Sequence, residues 1–375
     1  MSAASLILAT MLLAVPDRPA EAKPKDTWVG KVVFVRASGG ELDPAAEPGG
    51  LRPNGAEGVP LTSNQYRVYA ERGEHVRIKT RDGVSGWVSK ADLVPLEDAV
   101  ALFSKQIDAN PKDYAALNRR ASAWRFRGNF DAALKDMDEA MRISNSSSTY
   151  NNRGLVWHAR RDFEQAIADF SKAIEMNGHE LNLVNRASSY LANKENDRAI
   201  ADANAALEMQ PRYPEAFRVR GLAWLEKKEY DKAIDSFTRA IDIDAKHADA
   251  LAERARAWAA KSEHARARDD FNQALRLEPW NLTITANAAL WLASCPDAKY
   301  RDGKRALELA LAAQKREPSN SLVLQARAAA HAELGQLKEA VLWQEHALND
   351  RLLANDAAAR ERLLRYRKLH AAGQK

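Results

Sequence analysis

Cysteine and clustered histidine are nearly absent from this 375-residue sequence, which holds one cysteine, Cys295, and eight scattered histidines. A single cysteine cannot form an internal disulfide, so packing alone must stabilise the fold. No two histidines have the short spacing of a metal-ligand pair such as His-x-x-x-His, and no cysteine cluster accompanies them. We therefore expect neither a metal site nor a cofactor.

The motifs of common enzyme chemistry are missing as well. There is no nucleophile elbow and no glycine-rich dinucleotide fingerprint. The pair Gly303 and Lys304 is not a phosphate loop, because Ala298 and Arg305 stand where such a loop has Gly and Ser or Thr. No histidine lies within thirty residues of Cys295 to activate it as a nucleophile. We expect Cys295 to be a half-buried residue at a helix end, and the protein not to be an enzyme.

A large excess of one charge is also lacking. Lys and Arg number 56 against 51 Asp and Glu, a formal net charge of +5. The two signs are interspersed, which is typical of a solvated helical surface. No basic stripe interleaved with aromatic residues is present, so nucleic acid is not an expected partner.

The N-terminus has the layout of a secretory signal, apart from the absence of Lys and Arg in its first residues. An apolar run from Leu6 to Val15 is followed by Ala20-Glu21-Ala22, a small-x-small cleavage site. Ten apolar residues cannot span a bilayer, which takes about 20. The sequence predicts a signal peptide at residues 1–22, export to the periplasm, cell envelope or medium, and no integral membrane segment after cleavage.

Residues 27–95 have the short β-branched and aromatic runs of a small β-barrel, punctuated by turn residues such as Gly83 and Gly86. Their last part reads ERGEHVRIKTRDGVSGWVSKADLVPL and resembles the closing strands of bacterial Src-homology-3-like domains. Trp87 matches the tryptophan of that family, whereas His75 stands where many members have another aromatic residue. The resemblance implies an SH3-like domain over residues 27–95.

Small residues recur at a long period after Leu96. Consecutive members of this series are 33 or 34 residues apart, except for one step of 39 residues. The series consists of Ala121, Gly154, Ala187, Gly221, Ala255, Ala289 and Ala328. An alanine follows each of them after 12 residues, or after 17 in the sixth unit, and another alanine comes seven residues later. The extra five residues of the sixth unit lengthen its turn, in which Asp302 is predicted to cap the second helix.

This pattern resembles the tetratricopeptide repeat, a helix–turn–helix unit of about 34 residues. The resemblance implies a mainly α fold, an α–α superhelical solenoid preceded by the small β-barrel. Seven repeats would cover residues 114–350, after a half repeat at 96–112 that supplies only a second helix. A capping helix would follow at 352–372, with Leu363, Leu364 and Tyr366 against the last repeat. The string ASCPDAKYRDGKRALELA resembles a recurrent joint in secreted bacterial proteins of this architecture.

An arginine precedes the small residue in six units, and an acid recurs on the following helix. The arginines are Arg120, Arg153, Arg186, Arg220, Arg254 and Arg327, and the acids are Asp136, Asp169, Asp202, Asp235 and Asp270. We expect ion pairs within repeats, each contributing on the order of 0–1 kcal/mol, which would set register more than stability. The alternative is that these arginines bind a ligand.

Two functions fit the sequence. The first is a non-enzymatic protein–protein interaction scaffold that holds a peptide or protein segment in the concave groove of the solenoid. The second is a cell-envelope ligand-binding protein that acts through the SH3-like domain, with the repeats as an assembly platform.

The resemblance places the concave face on the first helix of each repeat. The groove residues that it implies are Asn118, Arg119, Ser122, Arg125, Asn151, Asn152, His158, Asn185, Ser188 and Arg218. This set has amides and cations and no acid, and Asp249 and Glu253 would mark a change of sign in the next unit. We expect unpaired asparagines and guanidinium groups here to bind acidic or C-terminal peptide segments. The alternative is that these residues are only solvated side chains on an empty groove.

Overall fold

The computed structural model describes residues 28–29, 31–36, 41–42, 59–60, 65–79, 85–350, 354 and 356–373. The predicted signal peptide at residues 1–22 lies outside the described residues.

The N-terminal region is a small antiparallel sheet. Its strands are β1 (Val32–Val35), β2 (Glu41–Leu42), β3 (Val59–Pro60), β4 (Gln65–Arg72), β5 (His75–Lys79), β6 (Ser85–Ser89) and β7 (Leu93–Pro95). Five of them form one sheet in the order β6-β5-β4-β1-β7, and β2 pairs with β3 in a separate hairpin. Alternate residues such as Val33, Val68 and Ile78 face inward and form its core. Gly73, at φ +55°, makes the tight turn between β4 and β5.

Sixteen α-helices follow in the described part of the chain. They are α1 (Leu96–Ala109), α2 (Tyr114–Phe126), α3 (Phe130–Ile143), α4 (Ser147–Arg160), α5 (Phe163–Met176), α6 (Glu180–Ala192), α7 (Asn196–Met209), α8 (Pro214–Glu226), α9 (Tyr230–Ile243), α10 (Ala248–Ala260), α11 (His264–Leu277), α12 (Leu282–Ser294), α13 (Gly303–Gln314), α14 (Ser321–Glu333), α15 (Leu337–Ala347) and α16 (Ala357–Ala372). From α2 to α15 they form seven antiparallel pairs, whose first members we call A helices and second members B helices. The predicted fold class, a mainly α solenoid after a small β region, is confirmed.

Successive A helices contact one another along the stack, from α2 with α4 to α12 with α14. Successive B helices make no contact of comparable extent among the described residues. The A helices therefore line the inner, concave side of the solenoid, as the resemblance implied.

The recurring small residues lie where A and B helices of one repeat cross. The alanines of the second and third sites, such as Ala133 and Ala140, are fully buried. In the second and fourth repeats a glycine occupies the first site, and the ring of Phe170 or Phe237 lies directly against it. The periodic small residues are thus a packing requirement, because the helix backbones approach too closely for larger side chains.

The sheet is attached to the solenoid through α1. Helix α1 packs on α2 and also contacts β1 and β7. Phe34 of β1 meets Phe103 of α1 edge-on with ring centroids 6.2 Å apart, and Phe126 of α2 at 6.1 Å. This aromatic cluster gives the sheet a fixed position at the start of the stack.

The enlarged turn of the sixth repeat is buried more deeply than the sequence indicated. Cys295 ends α12 with only 1% of its surface exposed, whereas a half-buried residue was expected. The inserted residues form a 3-10 turn at Ala298–Tyr300, and Asp302 caps α13 by accepting from the backbone N–H of Arg305 at 2.9 Å, as predicted. Burial raises the pKa of the Cys295 thiol, which disfavours the nucleophilic thiolate.

Helix α16 covers the end of the stack. Tyr366 is buried against Ala328 and Ala340 of the last repeat. The expectation that Leu364 also packs there is wrong, because that side chain is 57% exposed. Along this helix Leu364 is two positions from Tyr366, and residues two apart do not share a helix face.

The ion pairs predicted within repeats form at four of the six arginines. In each, Nε and Nη2 of the arginine donate to the two carboxylate oxygens of the aspartate 16 residues later, at 2.7 to 2.9 Å. These pairs join Arg120 to Asp136, Arg153 to Asp169, Arg186 to Asp202, and Arg254 to Asp270. We call each of them a rung.

The pair predicted between Arg220 and Asp235 is wrong, and Arg327, for which no acid was predicted, forms no rung. Arg220 does not pair with Asp235 but donates to Ser236 Oγ at 3.2 Å, because position 236 and not 235 faces it. Arg327 lies over the ring of Trp343, 3.7 Å from its centroid, and also donates to Gln314. In both repeats the residue 16 positions after the arginine is not an acid.

Candidate functional site

The asparagines expected in the groove are paired with each other across repeats. Asn152 Nδ2 donates to Asn118 Oδ1 at 2.7 Å, and Asn185 Nδ2 donates to Asn151 Oδ1 at 2.7 Å. The expectation that these amides are unpaired is therefore wrong. The pairs fix the register of neighbouring A helices. Asn118 and Asn151 are buried, and Asn118 Nδ2 also donates to the carbonyl of Tyr114 at 2.8 Å, so only the partly exposed amides of Asn152 and Asn185 have capacity left for a ligand.

Arg119 occupies the position in α2 that Asn152 and Asn185 occupy in the next two A helices. In the described part of the chain α2 is the first A helix, so Arg119 has no amide of an earlier A helix to bind. Only 9% of its surface is exposed, and its buried Nε has no hydrogen-bond partner. Among the described residues no hydrogen bond or ion pair to Arg119 is found, and burial lowers the pKa of its guanidinium against the opposite effect of the Asp113 charge. A buried cation without a hydrogen-bonded counter-ion is unfavourable, and an anion bound here would compensate it.

His158 and Arg125 lie close together, each six residues further along its A helix than Asn152 and Arg119. His158 Nδ1 is 2.9 Å from Ser189 Oγ, and its ring meets Phe163 at 5.5 Å. Burial, followed by the positive charge of Arg125, lowers the pKa of His158, so its imidazole is neutral at pH 7. Arg125 itself lies 4.5 Å from the ring centroid of Phe126.

Two hydroxyl groups of the predicted set are less distinctive. Ser188 Oγ donates to the carbonyl of Val184 within its own helix at 2.9 Å. Ser122 is partly exposed between Ala121 and Ala123. Both supply small polar surface beside the amides and neither has a feature that points to a ligand.

Arg218, the last member of the predicted set, is already neutralised. Its Nε and Nη2 donate to the two oxygens of Glu215 at 2.9 and 2.6 Å, and His247 Nε2 lies 3.7 Å from the same carboxylate. The charges of Glu215, Asp249 and Glu253 raise the pKa of Arg218. The change of sign therefore begins at Glu215, one repeat earlier than the sequence indicated.

One residue of the sheet, Tyr69, lies beside the acidic part of the groove. The ring of Tyr69 on β4 meets Trp280 edge-on at 6.1 Å. A cavity of about 330 Å³ lies between Tyr69 and solenoid residues that include Glu215, Asp249 and Glu278. Burial, and then the charges of Glu278 and Asp249, raise the pKa of the Tyr69 phenol. Tyr69 thus covers part of this stretch and leaves a cavity that Asn185 and Ser188 of the predicted set also line. The cationic stretch from Arg119 to His158 is the candidate peptide site.

Two further searches concern the described residues only. No three His, Cys, Asp or Glu side chains in this part of the chain cluster as metal ligands would. None of its helices combines the length and the apolar character that crossing a membrane demands.

Comparison with known proteins identifies the repeats. One tetratricopeptide repeat model matches residues 96–148 and 184–248, and a second matches residues 147–179. Within residues 96–248 the chain therefore matches the tetratricopeptide repeat. No curated protein sequence matches the chain significantly.

Solved structures with the same fold include a tetratricopeptide repeat protein from Parabacteroides merdae, 19% identical, with a TM-score of 0.50 over 68% of this chain and 98% of that one. Yeast Tom70 is 17% identical, with a TM-score of 0.52 over 74% of this chain and 59% of its own. The Cut9–Hcn1 hetero-tetramer of the APC/C is 16% identical, with a TM-score of 0.56 over 72% and 52%. At these identities the likeness concerns the fold alone.

Proposed function

We propose that this protein is a non-enzymatic interaction scaffold whose concave groove binds an acidic or C-terminal peptide segment of a protein partner. The single observation that carries the proposal is Arg119 on the first A helix, which is 9% exposed and makes no hydrogen bond or ion pair among the described residues. A peptide carboxylate would compensate this charge, and the partly exposed amide of Asn152 would use its remaining hydrogen-bonding capacity for the peptide backbone.

The acidic stretch beyond Arg218 gives the groove a direction. Asp249 would repel a second acidic residue of the ligand, whereas Glu215 and Glu253 are paired with arginines, and Tyr69 covers part of this stretch. The carboxylate end of a peptide would therefore lie at Arg119 and Arg125, and its more basic or neutral residues would extend toward Arg218.

Loss of the Arg119 charge tests this proposal. We expect the full-length protein to bind a fluorescent hexapeptide pool with Asp or Glu at a free C-terminus better than the same pool with an amidated C-terminus. A charge-assisted hydrogen bond contributes about 1.5–3 kcal/mol, so Arg119→Gln should weaken binding roughly 10- to 100-fold in fluorescence anisotropy.

The matched control is Arg142→Gln, which removes an exposed arginine on α3 whose one ion pair within the described residues is with Glu139. This control should bind as the wild type does. Arg119→Gln should fold normally, since it removes an uncompensated buried cation. Equal binding by the wild type and Arg119→Gln would contradict the proposed site.

The alternative function through an SH3-like domain has partial support. The first and last strands in chain order, β1 and β7, pair with each other, and the strand β6 that carries Trp87 is followed by a 3-10 turn at Lys90–Asp92. Trp87, however, is only 7% exposed and presents little of its ring to a ligand. We therefore propose the sheet as an SH3-like domain that positions the solenoid and favour the groove as the binding site.

We also propose that the protein is exported after cleavage behind Ala22, on the evidence of the sequence. Mass spectrometry of the protein recovered from its native cells should show Lys23 as the N-terminal residue. Recovery of a chain that still begins at Met1 or Ser2 would show that the N-terminal segment is not a cleaved signal.

A further inference from the structure

The fourth rung of the solenoid is incomplete. In the four complete rungs, Nε and Nη2 of an arginine each donate to one oxygen of an aspartate on the B helix. In the fourth repeat, Ser236 stands in the place of that aspartate. Its hydroxyl accepts from Arg220 Nε at 3.2 Å and donates to the carbonyl of Lys232 at 2.9 Å.

The hydrogen bond of Arg220 to the preceding B helix is the same as in complete rungs. Arg220 Nη1 donates to Asn204 Oδ1 on the preceding B helix at 3.1 Å, just as Arg120 and Arg254 donate to Ser104 and Thr238. Arg220 Nη2, however, has no hydrogen-bond partner among the described residues. The guanidinium is thus held in the geometry of a complete rung while one half of its carboxylate-binding edge is vacant.

An open cavity of about 450 Å³ lies at this vacancy. Three helices, α7, α8 and α9, form its walls, and its lining includes Arg220, Lys232, Trp224 and Asn204. Lys232 Nζ lies 4.5 Å from the ring centroid of Trp224 and 3.6 Å from Glu229, so a second cation, already ion-paired on its other side, lines the same space. Burial lowers the pKa of Arg220, the consequence of a charge that is partly desolvated without a close counter-ion.

Two carboxylates also line this cavity, and both are engaged by cations outside it. Asp231 pairs with Lys261 of the next repeat. Asp235 lies 3.9 Å from Arg239, its side chain is 63% exposed, and it acts on Arg220 only through its charge. Neither acid therefore completes the rung.

We propose that this cavity, which we call the fourth-rung pocket, binds a carboxylate group. One oxygen of the ligand would accept from Arg220 Nη2, in the place where an aspartate oxygen stands in the complete rungs. The other oxygen would face Lys232. A planar two-oxygen acceptor fits a guanidinium edge better than a point-like anion does. The carboxylate comes either from a small organic acid or from an Asp or Glu side chain of a protein partner.

The pocket is independent of the peptide groove. It lies on the side of the solenoid where the B helices are, whereas Arg119 lies on the A-helix side. Loss of peptide binding in Arg119→Gln and loss of carboxylate binding in an Arg220 variant are therefore separate results.

The chain offers a matched variant for the test, because four of its own repeats have aspartate where this one has serine. Ser236→Asp should complete the rung, fold normally, and fill the pocket with an internal carboxylate. Full-length wild type, Ser236→Asp, Arg220→Gln and the surface control Arg142→Gln would be titrated with sodium succinate at constant ionic strength by isothermal calorimetry.

Saturable succinate binding is expected for the wild type and for Arg142→Gln, with at least a tenfold loss of affinity in Arg220→Gln and Ser236→Asp. An acidic peptide with an amidated C-terminus, titrated in parallel, separates the two ligand sources, since binding that is tighter than succinate, is lost in Arg220→Gln and is kept in Arg119→Gln indicates a protein partner. Absence of saturable binding to both probes in the wild type, or unchanged affinity in Ser236→Asp, would overturn the proposal.

Discussion

Gly221→Val should destabilise the solenoid by about 3 kcal/mol or more, near the upper end of what overpacking a core costs. A Cβ atom placed on Gly221 would lie 2.6 Å from the ring of Phe237, closer than real Cβ contacts are found. The ring cannot withdraw, because Phe237 is completely buried between α8 and its neighbours. Urea unfolding followed by circular dichroism should show the loss as a lower midpoint.

The alanine variant isolates the steric cause. Alanine favours a helix over glycine by about 1 kcal/mol, so Gly221→Ala would be stabilising if the ring did not matter. We expect a net loss instead, and a smaller loss when Phe237→Ala is also present, since the third repeat has Ala187 and Ala203 at these two positions. Gly178→Ala, whose nearest contact would be an ordinary 3.9 Å, is the control. An equal effect of Gly221→Ala with and without Phe237 would contradict the explanation.

Asp169→Ala should cost on the order of 1–3 kcal/mol, which is more than the sequence suggested for these ion pairs. The carboxylate is 8% exposed and accepts two hydrogen bonds from Arg153 at 2.8 Å. Its removal leaves the guanidinium partly buried, with Asp138 at 3.4 Å as the remaining acid. Chemical unfolding of the full-length protein measures the loss.

The natural control for this variant is Asp235→Ala. The Asp235 side chain is 63% exposed and lies outside any rung, so its loss should change the unfolding free energy by less than about 0.5 kcal/mol. Similar effects of Asp169→Ala and Asp235→Ala would mean that the rungs set register alone.

Most of the solenoid was readable from the sequence because its contacts are local and repeated. The small residues recur at fixed spacings, and each spacing maps onto one helix crossing, so the period alone predicts seven helix pairs. The rungs were readable for the same reason, since an arginine and an aspartate 16 residues apart meet within one repeat. The prediction for Asp235 failed because the residue that faces Arg220 is the next one, Ser236. One residue along a helix changes the direction of the side chain by about 100°.

The groove was only partly readable. The sequence indicated which A-helix residues face the concave side, but not that Asn152 binds Asn118 or that Glu215 neutralises Arg218. A sequence does not show whether an amide or a cation is already hydrogen-bonded or ion-paired to a residue from another repeat. The significance of Arg119 appears only when its burial and its lack of a partner are known.

By itself the sequence determined the helical repeat, the small residues at each crossing and the β character of the N-terminal region, because these depend on contacts within about 34 residues. The tertiary structure alone decided what the curvature of the stack brings together. Tyr69 of the sheet meets Trp280, and Arg161 of the second repeat lies 3.6 Å from Asp350 at the end of the seventh. Such contacts depend on small rotations that accumulate from repeat to repeat, and no single repeat encodes them in its pattern.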